Sequence, residues 1–129
     1  MSASSQSIIK IYNDSPINGK STGLTTIGQF GLPFFISDIF IRVDSVTGLV
    51  LTPPVVSFGT NGNADNLAPA VLLPSSVLVP GAVIRITDLL TFANGYVLAD
   101  TDILCKVVTA ALGGSTYTFT VFVAGFYTA

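Results

Sequence analysis

The stretch TYTFTVFVAGFY, residues 116–127, decides the fold prediction. Its β-branched and aromatic residues favour a strand, in which side chains alternate between two sides. One side carries Tyr117, Phe119, Val121 and Val123, and the other carries Thr116, Thr118 and Thr120 followed by Phe122, Ala124 and Phe126. Both sides are apolar toward the end of the stretch. Because such a strand is normally covered on both sides, we expect the Phe122 side to contact a loop or another subunit.

The rest of the chain is divided into short strand-like segments by Gly, Pro and Asn. Alternating or β-branched residues predict strands at 7–12, 24–30, 34–43, 49–52, 55–60, 67–73, 82–87 and 103–108, where 67–73 could instead be a covered loop. Residues 44–48 predict a turn, and residues 88–92 predict one helical turn with Asp88 as its N-cap. Pro53 and Pro54 predict a sheet edge or corner, because two prolines remove two ladder donors.

About eight strands without a convincing helix predict an all-β fold, a two-sheet antiparallel β-sandwich of the jelly-roll-like type. An immunoglobulin-like sandwich is the main rival, but it would carry a core Trp and usually two Cys, and this chain has no Trp and one Cys. We expect one domain at residues 7–129 and a flexible N-terminal arm at residues 1–6. The arm lacks the basic and apolar regions of a signal peptide.

The composition predicts a surface that other molecules cover. Only 9% of the residues are charged, 50% are hydrophobic, and the mean hydropathy is +0.72. Five Lys or Arg and seven Asp are too few to solvate a folded domain of this size. We therefore expect further copies or partners on the apolar surface; the alternative is a monomer solubilised by Ser, Thr and Asn. A net charge of −2 without a basic cluster argues against nucleic-acid binding. Apolar runs too short to span a bilayer argue against a membrane protein.

Residue types that usually carry catalysis are scarce, so we predict no enzyme, no cofactor and no metal. The sequence contains no His and no Glu, which excludes nucleophilic catalysis with a His base. Cys105 lies in an alternating strand and is predicted to be a core residue. Asp100 and Asp102 are predicted to form a polar turn, although paired carboxylates can also do acid–base work on sugars.

One loop is a candidate ligand or partner site. Asn61, Asn63, Asp65 and Asn66 alternate oxygen-bearing side chains as the first half of a calcium loop does, but no terminal Glu follows. A turn held by Asx hydrogen bonds is the simpler interpretation. The same side chains could present amide groups to a carbohydrate or another protein.

The candidate oligomer interface combines two aromatic groups. It comprises Phe34, Phe35 and Phe40 from one predicted strand and Phe122, Ala124 and Phe126 from the last one. Arg42, Arg85 and Lys106 lie on the polar sides of their strands. If these strands are neighbours, the cations would cluster and need Asp partners; otherwise they are solvated charges that suppress sheet aggregation.

Four segments, FIRV at 40–43, VSFGTN at 56–61, ILCKVV at 103–108 and the ending 116–127, resemble small bacteriophage virion proteins. Those are short all-β chains with an SIGTN-like loop and a TFTV…GY C-terminal strand. The resemblance implies a jelly-roll-like virion component that assembles as a symmetric oligomer, commonly a trimer, on a capsid, fibre or baseplate. It transfers no catalytic residue.

From this resemblance we expect a non-enzymatic structural protein of the virion, of the head-decoration (cement) or tail-fibre type. Its expected partners are itself, with a homotrimer favoured, and other virion proteins such as capsid or tail components. The alternative is a receptor- or glycan-binding module at a fibre tip, which aromatic side chains exposed beside residues 61–66 would favour. A jelly-roll coat of a small RNA virus and a glycosidase are more distant alternatives.

Overall fold

The computed structural model describes residues 9–60, 63–74, 78–86 and 95–128. These residues form twelve strands: β1 (Ile9–Tyr12), β2 (Ile17–Asn18), β3 (Gly23–Gly28), β4 (Phe34–Thr47), β5 (Val50–Thr52), β6 (Val55–Thr60), β7 (Asn63–Leu72), β8 (Val83–Arg85), β9 (Tyr96–Val97), β10 (Ile103–Thr109), β11 (Leu112–Gly113) and β12 (Thr116–Tyr127). The predicted arm at residues 1–6 and the predicted helical turn at residues 88–92 lie outside the described residues.

Two antiparallel sheets form the body of the molecule. The six-stranded sheet has the order β1-β12-β4-β8, with β2 also paired to β12 and β9 to β4. The four-stranded sheet has the order β3-β10-β6-β7, and β5 pairs with β11 in a separate two-stranded sheet. The predicted all-β class and antiparallel sandwich architecture are confirmed. Pro53 and Pro54 stand where the chain leaves the two-stranded sheet for the four-stranded one, as their missing donors predict.

The core lies between the inward sides of the two large sheets. From β12 it contains Tyr117, Phe119, Val121 and Val123, from β10 it contains Ile103, Cys105 and Val107, and from β4 it contains Ile39, Ile41 and Val43, each at most 1% exposed. These are the sides that the two-residue alternation predicts as inward. Residues 116–127 form a strand with the predicted bounds.

β4 is longer than predicted, because the expected turn at residues 44–48 is strand as far as Thr47. The strand pairs with β12 along its whole length, from Phe34 opposite Tyr127 to Thr47 opposite Thr116. The ladder with β12 holds residues 45–47 extended, although residues 44–48 by their own sequence favour a turn, and Asp44 is an extra residue at a register shift.

A β-bulge in β4 reverses the side on which its first residues lie. Gly125 pairs with Ile36 and Ala124 pairs with Asp38, so Ser37 has no opposite residue. A Cβ at Gly125 would overlap the carbonyl oxygen of Phe35, so the close approach at this bulge requires glycine.

The bulge places Phe34 in the protein's own core, which corrects its prediction as an interface residue. The side chain is fully buried. Its ring stacks on that of Phe30 with centroids 3.5 Å apart and meets the ring of Tyr127 edge-on at 5.5 Å. Because of the extra residue, Phe34 lies on the same side as Ile39, whereas Phe35 lies on the opposite side together with Phe40.

Candidate interaction surface

The outward side of the six-stranded sheet, here called the outer face, brings together the other five predicted interface residues. Phe35 pairs with Phe126, Phe40 with Phe122, and Asp38 with Ala124, so Phe35, Phe40, Phe122, Ala124 and Phe126 occupy neighbouring rows of β4 and β12. Phe35 is exposed and the other four are half-buried. Cross-strand pairing therefore gathers these apolar residues around Asp38, although the paired residues are 82 or more positions apart in sequence.

Two aromatic residues that the sequence did not single out extend this surface. Tyr12 lies opposite Phe122, and Tyr96 lies opposite Phe35. The rings of Tyr12 and Phe122 are 5.6 Å apart, and those of Phe35 and Phe126 are stacked at 5.5 Å. We call this part of the outer face, comprising Tyr12, Phe35, Phe40, Tyr96, Phe122, Ala124 and Phe126, the aromatic half. Tyr12 and Tyr96 stand in short strands whose pairing partners are distant in sequence, so no local pattern marks them.

The other half of the outer face carries hydroxyl groups. The Oγ of Ser45 and the Oγ1 of Thr118 are hydrogen-bonded at 2.6 Å. Thr120 donates from Oγ1 to the carboxylate of Asp44 at 2.6 Å. These hydroxyl groups satisfy one another or nearby carboxylates, so the sheet face changes from polar to aromatic along the length of β12.

Two of the three predicted cations come together on the outer face, because β8 pairs with β4. Arg42 lies opposite Val83, and Arg85 lies opposite Phe40. Arg42 is ion-paired with Asp44 at 2.9 Å, and Arg85 is ion-paired with Asp38. Their carboxylate partners are therefore in the same chain. Lys106 lies on β10, in the other sheet.

An apolar groove of about 330 Å³ lies on the outer face, where Phe40 pairs with Arg85 and Arg42 pairs with Val83. It is lined by Phe40, Arg42, Val83, Phe122 and Ala124. The guanidinium of Arg42 lies over the ring of Phe122, 5.2 Å from its centroid, a distance typical of a cation–π contact. The groove can accept an uncharged side chain, and Arg42 forms one polar rim.

The predicted Asn-rich loop at residues 61–66 is largely strand, which corrects that prediction. Thr60 of β6 pairs with Asn63 of β7, so only residues 61 and 62 connect the two strands. Asn63, Asp65 and Asn66 lie within β7, and Asn61 lies outside the described residues. Pairing with β6 begins β7 at Asn63, four residues before the apolar segment 67–73 for which a strand was predicted.

Catalysis was considered for Asp100, Asp102 and Cys105, and each of them occupies a position that the fold itself explains. Asp100 occupies a turn with φ of 58°, and Asp102 accepts a hydrogen bond from Nε2 of Gln29 at 2.5 Å. Cys105 is fully buried, and burial raises the pKa of its thiol well above the ordinary value. A thiol that stays protonated is a weak nucleophile.

Within the described part of the chain, no group of three or more Cys or Asp side chains is arranged to hold a metal ion. Across the same residues there is no helix long and apolar enough to cross a membrane.

Comparison with known proteins gives a match in structure and none in sequence. No family model and no curated protein matches the chain. A chain of the cyanophage Pam1 capsid asymmetric unit is similar with a TM-score of 0.62 and 13% identity, over 98% of this chain and 89% of that one. A chain of the capsid of Ralstonia phage GP4 is similar with a TM-score of 0.57 and 13% identity, over 100% of this chain and 90% of that one. The chain therefore shares its all-β fold, over nearly its whole length, with chains of two phage capsids.

Proposed function

We propose that this chain is a non-enzymatic structural protein of a bacteriophage virion. The observation that carries the proposal is the fold similarity to chains of two phage capsids, which extends over nearly the whole length of all three chains. The exposed aromatic half of the outer face supports it, because large exposed apolar patches mark contact surfaces.

Within the virion, the proposed role is assembly as a symmetric homo-oligomer, with a trimer favoured, in capsid decoration or cement or in a fibre. The proposed contact residues are Phe35, Phe40, Phe122, Ala124 and Phe126. The sparse charge of the chain and the incomplete burial of these side chains support association with copies of itself and with capsid or tail proteins, because covering apolar surface is favourable. Closed rotational symmetry is the usual arrangement for such contacts.

The test is to locate the chain in purified phage particles. Particles from a host culture are purified on a density gradient, and their proteins are identified by mass spectrometry. Cryo-electron microscopy of the same particles then locates the chain in the head or the tail. We expect stoichiometric incorporation at symmetry-related positions. Particles that lack the chain although it is expressed during infection would contradict the proposal.

The alternative, a receptor- or glycan-binding module at a fibre tip, would be favoured by aromatic side chains exposed beside residues 61–66. The exposed aromatic side chains of the described residues are Tyr12, Phe35 and Tyr96. They belong to the six-stranded sheet, whereas residues 63–66 belong to β7 of the four-stranded sheet. The described exposed aromatic residues therefore lie in the sheet that does not contain residues 63–66, which supports the assembly role.

A further inference from the structure

The outward side chains of β4 include an acidic, an aromatic and a basic residue in succession. Asp38, Phe40 and Arg42 occupy alternate positions, and the residues between them, Ile39 and Ile41, are fully buried in the core. The three side chains therefore lie in one line on the outer face. Turning this line end to end places acid against base and keeps the aromatic residue at the centre, so the pattern is complementary to a reversed copy of itself.

The pairing of β4 with β12 is symmetric about the same centre, where Phe40 pairs with Phe122. Two further outward pairs stand four residues from Phe122 in either direction along β12, Thr118 with Ser45 and Phe126 with Phe35. A register shift on each side of Phe40 gives β4 one extra residue in both directions, which keeps the two distances equal. One end of the face thus carries two stacked rings, and the other end carries two hydroxyl groups.

A second copy fits this face when a two-fold axis crosses the strands at the Phe40–Phe122 pair and reverses their direction. Asp38 of each copy then lies opposite Arg42 of the other, so the same charge contact forms twice. The second copy's guanidinium also extends over the part of the groove that Ala124 lines, because Ala124 pairs with Asp38. The stacked rings of one copy cover the hydroxyl groups of the other, which are already hydrogen-bonded to each other at 2.6 Å.

The charged side chains of the outer face are paired within one chain. Arg42 is ion-paired with Asp44 and Arg85 with Asp38, and both arginine side chains are about half exposed. The two ion pairs sum to zero net charge, so two facing copies bring no excess of like charge together. Because a charge buried without a partner is strongly destabilising, this internal pairing permits a second copy on the face.

The area of the outer face is sufficient for a specific contact. Residues from Tyr117 to Tyr127 span about 34 Å along β12, at about 3.4 Å per residue. The face is about 19 Å wide, because β1 or β2 lies beside β12 and β8 or β9 lies beside β4. Two copies placed face to face bury about 1,300 Å² in total, within the ~1,200–2,000 Å² of specific interfaces.

We propose that a second copy of this chain covers the outer face, related to the first by a two-fold axis at the Phe40–Phe122 pair. Such a contact is isologous, since the same surface of both copies forms it. The inference rests on the proposed assembly role and specifies which surface joins copies in pairs. The trimer favoured for that role then needs another surface, because a threefold axis brings unlike surfaces together.

Cysteine crosslinking of the full-length chain tests the position of the axis. Tyr12 lies opposite Phe122, in the row that the axis crosses, so its two copies face each other across about 10 Å, the spacing of packed sheets. Tyr96 lies opposite Phe35 at one end of the face, so its two copies are about 27 Å apart along the strands. Both tyrosines are exposed, and the native Cys105 is fully buried.

The crosslinker is a bismaleimide that spans about 10 Å, the distance between facing sheets. It should convert Tyr12→Cys into a covalent dimer and leave the matched control, Tyr96→Cys, uncrosslinked. Denaturing gel electrophoresis distinguishes the two results.

Sedimentation velocity tests the charge contact. We expect the wild type to contain an even number of copies. Arg42→Glu places like charges opposite each other at both contacts with Asp38 and should weaken association about thirtyfold or more. The matched control is Lys106→Glu, the same change in charge at an exposed position of the other sheet, which should associate as the wild type does. Circular dichroism confirms that each variant is folded.

Four results would overturn the inference: a wild type that is a monomer or a closed trimer, a Tyr12→Cys variant that stays uncrosslinked, equal crosslinking of Tyr96→Cys, or an Arg42→Glu variant that associates as tightly as Lys106→Glu. All four concern the purified chain and are independent of particle composition. If one of them is observed and the chain is nevertheless found in virions, only the two-fold contact is wrong. If virions lack the chain, the proposed function is wrong regardless of these results.

Discussion

Neighbouring residues of β12 should respond in opposite ways to the same substitution, because they lie on opposite sides of the six-stranded sheet. Val123 is fully buried against the core, whereas Phe122 is half-buried on the outer face. Val123→Asp removes a buried valine, which contributes about 1.5–3 kcal/mol. It also leaves a carboxylate buried without a partner, which costs about 3–5 kcal/mol. The sum, about 5–8 kcal/mol, is comparable to the whole stability of a typical domain, about 5–15 kcal/mol.

Phe122→Asp should lose much less. The ring contact with Tyr12 at 5.6 Å contributes about 0.5–1.5 kcal/mol. The contact with the guanidinium of Arg42 contributes about 0.5–1 kcal/mol at such a partly exposed site. The new carboxylate would lie beside Arg42 and remain partly hydrated. We expect this variant to fold with a stability lower by about 1–2 kcal/mol and to lose self-association, since a charge now stands in the proposed contact surface.

The assays are urea unfolding followed by circular dichroism for stability, and sedimentation velocity for association. Val123→Ala provides a milder reference, with an expected loss of about 2–3 kcal/mol, or about 10 °C in melting temperature. The reasoning is refuted if Val123→Asp folds with near wild-type stability, or if Phe122→Asp unfolds as completely as Val123→Asp. Normal association of a folded Phe122→Asp variant would contradict the proposed contact surface alone.

Three further predictions concern pH, packing and the backbone turn that precedes β12. Burial raises the folded-state pKa of the Cys105 thiol above its ordinary 9.0, and that of Tyr117 above 10.0. The two protonated groups therefore contribute fully to stability below pH 9, and this contribution is lost as pH rises, by up to about 1.4 kcal/mol per pH unit for Cys105. Urea unfolding between pH 7 and pH 10.5 measures the loss. In the Cys105→Ala variant, the decline in stability between pH 9 and pH 10 should disappear. Gly125→Ala should cost about 1–3 kcal/mol through overlap at the bulge, whereas Gly31→Ala, where a Cβ meets nothing within 4 Å, should leave the melting temperature nearly unchanged. The ammonium group of Lys20 donates to the carbonyl oxygens of Ala111 and Gly113, so Lys20→Met should accelerate hydrogen exchange at the amides of residues 112–114. Unchanged exchange would show that the positive φ values of Gly113 and Gly114 hold this turn without Lys20.

The sequence by itself determined the fold class and the inward side of most strands. In residues 116–127 and 103–108 the alternation has a period of two, which is a local property of an extended chain. The composition also indicated a folded domain, because a chain with half of its residues hydrophobic and few charges forms a large core. The burial of Cys105 followed from its position in such a strand, without any knowledge of its neighbours.

Tertiary structure decided which of the predicted interface residues share a surface. Phe34 and Phe35 are adjacent in sequence and both are aromatic, yet one is core and the other is exposed. The bulge at Ser37 sets this difference, and the bulge exists because Gly125 on another strand permits a close approach to the backbone of Phe35. Residues 34–40 alone therefore do not predict which of these two phenylalanines is buried.

The exposure of Leu49 and Leu51 and the length of β7 also depend on strand pairing. Leu49 and Leu51 were both predicted in a strand at residues 49–52, but their exposure depends on β5 pairing with β11 rather than joining a large sheet. Asn63 was predicted in a loop and lies in a strand, because it is hydrogen-bonded within the pair that β7 forms with β6. Alternation is a property of neighbouring residues, whereas strand pairing, register and bulges arise from contacts between residues far apart in the chain. The physical reason is that backbone hydrogen bonding between distant strands, and not local propensity, selects which surface remains open for a partner.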